Sequence, residues 1–528
     1  MTQRAPLRLL IGLASASLLV TSVYAQTPQR GGTLVFGLDA EPPTYDCQGT
    51  TTFVMMQTVG THYSRLLKFD PDHYPTIKPD LAESWLISPD KLTYTFKIRP
   101  GVKFHDGSAL TATDIKATLD RIRKPPQGVV SVRMADFEDI ESIDTPDAGT
   151  LVVKLSAPNS SMLLTLASPW NCVYSAARLK EDPNWPATKI MGTGPYTFVE
   201  HSRGSQWVGK RFDGYFEPQK PYLDGYRAVF INGAAMLNAM QGGQIMAEFR
   251  GLTPPQRDRL TSTSNDKLTF GEVPWTCKLD LFFNSEKKPF DDGRVRRALS
   301  LAIDRWRGAE SLSKITFVKP VGAALRPGSP LAISEDDLVK FPGFGRDGEA
   351  AKAEARRLLK EAGAEGLRTK LVTRSVPDPF SPVAIYIIEQ WRQIGVIAEN
   401  APLDVARQKA TYLAGNFDVG LDATCADVDE PNNLLSLYIS YDRSPRNFSR
   451  FTDRTLDDLF EKQKRATRDE DRAQLIRQFE ARLFEQSWTA PVLWWERIVA
   501  TSKNLRGWTL LPSHYLNQDL ADVWLARN

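Results

Sequence analysis

The sequence predicts an α/β fold, and three observations carry that prediction. Short runs of alternating apolar residues stand beside longer runs whose apolar residues recur every three or four positions. The two kinds are mixed along all 528 residues, not segregated into halves. No internal repeat and no low-complexity linker separates them. A chain of this length allows several units of roughly 150 residues each, so those units are expected to be interlaced, not strung in a row.

Composition agrees with a folded chain: 42% hydrophobic, 24% charged and 10% aromatic. That excludes a mainly disordered protein, a collagen and a polytopic membrane protein. Lys and Arg number 66 against 63 Asp and Glu, so the charges nearly cancel. Nothing in that balance calls for nucleic acid or an anionic membrane as partner.

The first element is a targeting segment. Arg4 and Arg8 flank the start of an apolar run, Leu9 to Val20, and Val23 and Ala25 fit the small-residue rule for cleavage before Gln26. Residues 1–25 therefore read as a secretory signal, too short to span a bilayer. No cysteine follows the cleavage site, so a lipid anchor is not expected. The mature chain is expected in an oxidising compartment outside the cytoplasm.

The next elements follow in order. Thr33 to Leu38 (TLVFGL) reads as a strand after Gly31-Gly32. Pro79 and Pro89 bracket a short helix around Ala82 to Trp85, with Trp85 in the core. Leu92 to Ile98 and Thr150 to Leu155 alternate as strands. Thr113-Asp114 opens a helix with an N-cap. Gly192-x-Gly194-Pro195 is a tight turn feeding a strand from Tyr196 to Val199, and Lys278 to Asn284 is a further strand. From Arg294 to Trp306 a helix places Val295, Leu299, Ile303 and Trp306 on one face. Helices also span Glu349 to Ala362, stopping at Gly363, and Val383 to Ile394, stopping at Gly395. Residues 454–486 are highly charged helices with Leu456, Leu459 and Phe460 turned inward.

A search for catalytic chemistry returns little. H-E-x-x-H and G-x-S-x-G are absent. Gly204 to Arg211 (GSQWVGKR) approaches a phosphate loop, but Arg211 replaces the hydroxyl residue that would hold Mg²⁺, and no helix start follows. S-x-x-K occurs at Ser88, Ser264, Ser285 and Ser311, too often to discriminate, and K-T-G is missing. The five histidines show no metal-ligand spacing. No cofactor, metal or catalytic residue is expected, which favours a binding protein.

Longer motifs then carry a resemblance. Pro79 to Gly107 reads PDLAESWLISPDKLTYTFKIRPGVKFHDG, and Met191 to Phe198 reads MGTGPYTF. Tyr222 to Tyr226 (YLDGY) and Phe283 to Arg305 (FNSEKKPFDDGRVRRALSLAIDR) follow. In order and spacing these resemble the peptide/nickel family of solute-binding proteins of ABC transporters, from about Gly31 to the C-terminus. The resemblance implies a large periplasmic binding protein fold: two lobes joined by hinge strands, ligand closed between them, and an inserted extra domain. It implies a discontinuous first lobe (31–70, 185–276 and 504–528), an inserted domain at 71–184 and a second lobe at 277–503. It also implies a periplasmic, monomeric receptor that hands a peptide or small polar solute to an inner-membrane permease with its ATPase subunits. The family includes binders of nickel complexes, haem, opines and oligosaccharides, so these remain alternatives, as does an exported hydrolase.

The resemblance also implies site residues. Val273 to Asn284 (VPWTCKLDLFFN) and Asp418 to Pro431 (DVGLDATCADVDEP) resemble the stretches that carry a disulfide in oligopeptide binders, pairing Cys277 with Cys425. Cys47 and Cys172 are then left over, either as a second bridge or as free thiols. In that family the aspartate two residues after the second cysteine holds the peptide's ammonium group, which here is Asp427. A cation leaving water needs such a fixed carboxylate. Asp429 and Glu430 are the neighbours to which this role would pass if the register shifted, and a helix cap is the bland role for Asp427.

Two departures mark a rebuilt pocket. Thr424 stands where the family's peptide binder has a tryptophan, and Leu421 where it has an arginine that meets a peptide carboxylate. Arg374, at the end of a strand, is a candidate substitute on the cleft wall. Trp494 and Trp495 (PVLWWER) lie where the chain returns to the first lobe, and strand alternation lets only one face the cleft. Thr51, between Thr50 and Thr52, lies near the segment that offers backbone hydrogen bonds to ligand in relatives.

Overall fold

The computed structural model describes residues 27–527 apart from Asn232 and Asn265, so the signal segment at 1–25 lies outside the described residues. Its backbone is a mixed ten-stranded sheet with helices packed on it. The order is Ile397–Leu403, Arg368–Arg374, Val419–Cys425, Leu268–Phe283, Thr489–Ser502, Ala247–Glu248, Thr33–Leu38, Gly225–Phe230, Gln206–Arg211, Tyr196–Ser202. The strands Leu268–Phe283 and Thr489–Ser502 are long enough, at 16 and 14 residues, to belong to both halves of the sheet. They pair antiparallel from Leu268 opposite Ser502 to Phe282 opposite Thr489, and the register slips between Pro274 and Lys278. Pro274 donates no ladder hydrogen bond, and the slip bends the pair where one half of the sheet passes into the other. Two lobes are the result, joined by these two strands.

Each half has its own core. One gathers Leu34, Phe36, Tyr63, Tyr196, Trp207 and Tyr226 beneath the Thr33–Leu38 side of the sheet. Another gathers Leu279, Leu281, Leu299, Leu371, Val383 and Trp391 on the Arg368–Arg374 side. A separate four-stranded sheet, ordered Ala82–Ile87, Thr93–Ile98, Thr150–Leu155, Ile140–Asp147, covers a third core with Phe96, Ile115, Leu119 and Val153.

The strands Thr33–Leu38 and Thr150–Leu155 form as the alternation requires. Helices Gly348–Glu361 and Phe380–Arg392 stop where Gly363 and Gly395 take positive φ. Three expectations need correction. Ala82 to Trp85 is not helical: Ala82–Ile87 is an edge strand in which Trp85 pairs with Phe96, and Trp85 is half-buried. Its exposed outer residues, such as Leu86, hide the alternation that would mark a strand. The helix expected to open at Thr113-Asp114 is Ala112–Arg123, capped by Thr111 two residues before the expected site. The Asp114 carboxylate accepts from the Thr111 N–H at 2.8 Å, a capping box that starts two residues before the expected one. The Arg294 to Trp306 run is two helices, Gly293–Leu301 and Arg305–Leu312. Asp304 interrupts it because its carboxylate caps the second helix, accepting from the Arg307 N–H at 3.0 Å.

Gly192 and Gly194 are needed for space. A Cβ at Gly192 would sit 2.3 Å from the His62 carbonyl oxygen, and one at Gly194 2.4 Å from the His62 carbonyl carbon. The Gly204 segment is a hairpin turn into the strand Gln206–Arg211, with no helix behind it. Among the described residues no group of three or more His, Cys, Asp or Glu is placed to hold a metal ion. No described helix is long and apolar enough to cross a membrane.

Candidate functional site

A cavity of about 470 Å³ lies where the two long strands bend. Its walls come from both halves of the molecule. Thr51, Thr52, Phe53, Arg250, His514 and Tyr515 line one side, with Arg133, Asp136 and Trp170 from the smaller domain. Arg374, Ala423, Cys425, Asp427, Arg446 and Trp495 line the other. Trp275 and Cys277 enter from the irregular stretch of the hinge strand.

The disulfide Cys277–Cys425 closes this floor, joining two residues directly opposite in the antiparallel ladder. A second bridge, Cys47–Cys172, ties the first segment of the chain to the smaller domain. Two residues beyond Cys425, the Asp427 carboxylate reaches the cavity. Asn433 Nδ2 donates to its Oδ1 at 3.0 Å and Ser168 Oγ to its Oδ2 at 3.2 Å. Ser513 Oγ donates to its backbone carbonyl at 2.6 Å. Neutral donors thus fix the carboxylate, and among the described residues no cation lies within ion-pair distance of it. A preset carboxylate with no ion-pair partner is what an ammonium ligand requires.

The neighbouring acids are spent elsewhere. Asp429 holds Arg326 at 2.6 Å. Glu430 holds Arg472 and accepts from the Asn432 N–H, capping the helix Pro431–Leu435. The cap at Pro431 is therefore Glu430, and Asp427 is left for the cavity.

The other sequence-derived residues divide. Thr51 lines the cavity. Trp495 faces it, whereas Trp494 is fully buried behind the strand and donates to the Ala323 carbonyl at 3.3 Å. Thr424 is not in the cavity wall: in the strand Val419–Cys425 it points to the opposite face from Ala423 and Cys425. Arg374 does line the cavity, but its guanidinium is held by Asp422 at 2.7 Å. Burial raises the Asp422 carboxyl while Arg374 pulls it down, so this arginine compensates a buried charge. Leu421 is core.

Sequence reasoning missed most of the cationic and aromatic wall. Arg133 lies over the Trp170 ring at 4.0 Å and donates to the Thr50 carbonyl at 3.0 Å. Burial lowers its pKa, while Asp427 and Asp136 act in the opposite sense. Burial, and then Asp427, push the Tyr515 hydroxyl up to about 12. His514 Nδ1 accepts from Trp275 Nε1 at 2.8 Å. Burial, then Arg497 and Arg250, hold His514 well below the ordinary imidazole range, so it stays neutral.

A deep two-walled cavity with one preset carboxylate can capture a small cationic or zwitterionic solute. The pattern of bacterial extracellular solute-binding proteins, family 5, matches residues 76–445. The chain belongs to that family. Among family relatives, glutathione-binding protein GsiB of Pectobacterium atrosepticum is 30% identical over 486 residues, covering 89% of this chain and 90% of that one. GsiB of Escherichia coli strain K12 is 27% identical over 474 residues, covering 86% and 88%. The periplasmic binding protein AgaA, solved with agropinic acid from A. tumefaciens, superposes with a TM-score of 0.78 at 26% identity over 94% of this chain and 99% of that one. The ABC transporter-associated periplasmic binding protein DppA of Helicobacter pylori, solved with the peptide STSA, gives a TM-score of 0.79 at 22% identity over 94% and 99%. The fold is therefore the two-lobed family 5 fold with hinge strands and an extra domain, and the family role is solute binding for ABC import.

Proposed function

We propose that this protein is a periplasmic receptor that closes its two lobes around a peptide or another amine-bearing solute and delivers it to an inner-membrane ABC permease. Asp427 carries the reading. Its carboxylate reaches the cavity held by Ser168 and Asn433, its backbone carbonyl is held by Ser513, and among the described residues no cation lies within ion-pair distance of it. Glutathione, which GsiB binds, bears an amine, and the peptide held by DppA does too. The lobe division we adopt is 31–70, 185–276 and 504–528 for the first lobe, 71–184 for the inserted domain and 277–503 for the second lobe. The receptor acts as a monomer without a lipid anchor and without catalysis, and ATP is spent by other subunits.

Trp170, Trp275 and Trp495 line the cavity, so ligand entry changes their fluorescence. Titration with glutathione and a tripeptide library gives a saturable change in the wild-type protein. Asp427→Asn weakens amine-bearing probes by about 10- to 100-fold, the worth of one charged hydrogen bond. N-acetylated probes lose affinity for the wild type and are indifferent to the substitution. A variant that binds free-amine probes as tightly as wild type removes the amine site.

A further inference from the structure

The cavity holds two guanidinium groups with no carboxylate partner. Arg250 is held by Asp39 at 2.6 Å and Arg374 by Asp422 at 2.7 Å. Arg133 has no ion-pair partner among the described residues; its contacts are the Trp170 face and one backbone carbonyl. Arg446, exposed to the cavity from the second lobe, has no side-chain hydrogen bond or ion pair among the described residues. Both sense Asp427 and Asp136, and Arg133 senses Arg446, which places the four groups in one electrostatic neighbourhood.

Neutral donors point the same way. Trp170 Nε1, Trp495 Nε1 and Arg250 Nε are all buried, all belong to cavity-lining residues, and none has an acceptor. A buried N–H left unpaired costs about 1–3 kcal/mol, so three around one cavity mark a place that an acceptor-rich group fills. Two cavity carboxylates, Asp427 and Asp136, stand against two guanidiniums and three further N–H groups that lack an acceptor. Donors still exceed acceptors around this cavity.

We propose that Arg133 and Arg446 form the carboxylate clamp of this cleft, one from each side, and that the solute is a zwitterion with a free carboxylate besides the ammonium group held by Asp427. This clamp replaces the arginine lost at Leu421 and assigns that role away from Arg374. Arg446 acts as the specificity residue because its fork is uncommitted; Arg133 is preset by its seat on Trp170. Closure brings the two cations against one planar carboxylate, which repays their desolvation only when that carboxylate is present. The proposal rests on the amine-capture reading above.

The test is calorimetric titration of the mature protein with glutathione and tripeptides, each as free acid and as carboxamide, against wild type, Arg446→Gln and Arg133→Gln. Wild type is expected to prefer each acid over its carboxamide by about 10- to 100-fold. Arg446→Gln is expected to lose most of that preference while its melting temperature and its preference for free over N-acetylated amines stay unchanged. Equal wild-type binding of acid and carboxamide overturns the clamp and leaves amine capture standing. So does an Arg446→Gln protein that still discriminates as wild type does. Failure of every free-amine probe to bind wild type overturns amine capture and, with it, the clamp.

Discussion

At the residue scale, His62 shows how burial fixes a protonation state. Its Nδ1 donates to the Tyr196 carbonyl at 2.7 Å, and its Nε2 accepts from Trp207 Nε1 at 3.1 Å. A second ring proton would face that indole N–H. Burial pushes the pKa from 6.5 down to about 3, only partly opposed by the Tyr196 hydrogen bond. The unfolded chain therefore takes up a proton between pH 6.5 and 3 that the folded chain refuses. Stability falls as pH drops through that window, by about 1.4 kcal/mol per pH unit for this one group. Urea unfolding at pH 4, 5 and 6.5 is expected to show a shallower slope for His62→Gln than for wild type. Equal slopes would remove His62 from the acid sensitivity. Residues of this kind were hard to read beforehand. His62 offers no spacing signal, and Arg133, Trp170 and Arg446 lie in loops that only the folded chain brings together. Asp427 was legible because a cysteine motif two residues away marked its position.

At the element scale, legibility followed burial pattern. Thr150–Leu155 buries every second side chain and was readable from alternation. Ala82–Ile87 exposes most of its residues and was not. The break at Asp304 was hidden because apolar period 3.6 runs across it. The disulfide Cys277–Cys425 holds two adjacent strands whose cysteines lie 148 residues apart, and cross-linking so long a loop is worth roughly 5 kcal/mol. Cys277→Ser with Cys425→Ser is expected to lower the urea midpoint markedly and to weaken probe binding, since the bridge pins the segment carrying Asp427. Unchanged binding in a destabilised double variant would confine the bridge to folding. A second contact ties the helix Arg454–Arg465 to the smaller domain: Lys464 meets Glu138 at 2.6 Å and Asp139 at 2.9 Å, and Arg465 meets Asp139 at 2.7 Å. Lys464→Met is expected to weaken every probe by about 5- to 30-fold, the worth of roughly 1–2 kcal/mol, without altering acid-over-carboxamide preference. A change in that preference would place Lys464 in ligand selection.

At the scale of the whole molecule, near-zero net charge and a strongly charged cleft are compatible because selectivity is local. The two lobes share the long strands Leu268–Phe283 and Thr489–Ser502, so opening requires bending at Pro274 to Lys278 and separation of the Lys464 contacts. A ligand favours the closed form only through contacts it makes there and not in the open form. In the proposed capture, Asp427 and Arg446 on one wall and Arg133 on the other supply such contacts. The interlaced α/β class and the two-lobed family fold were legible in the sequence; the composition of the facing walls was not. The most direct test is small-angle X-ray scattering of the mature protein with and without a saturating free-amine, free-acid probe. The radius of gyration is expected to fall on binding in wild type and not to fall at the same probe concentration in Asp427→Asn. A probe that binds tightly by calorimetry yet leaves wild-type scattering unchanged would contradict capture by lobe closure.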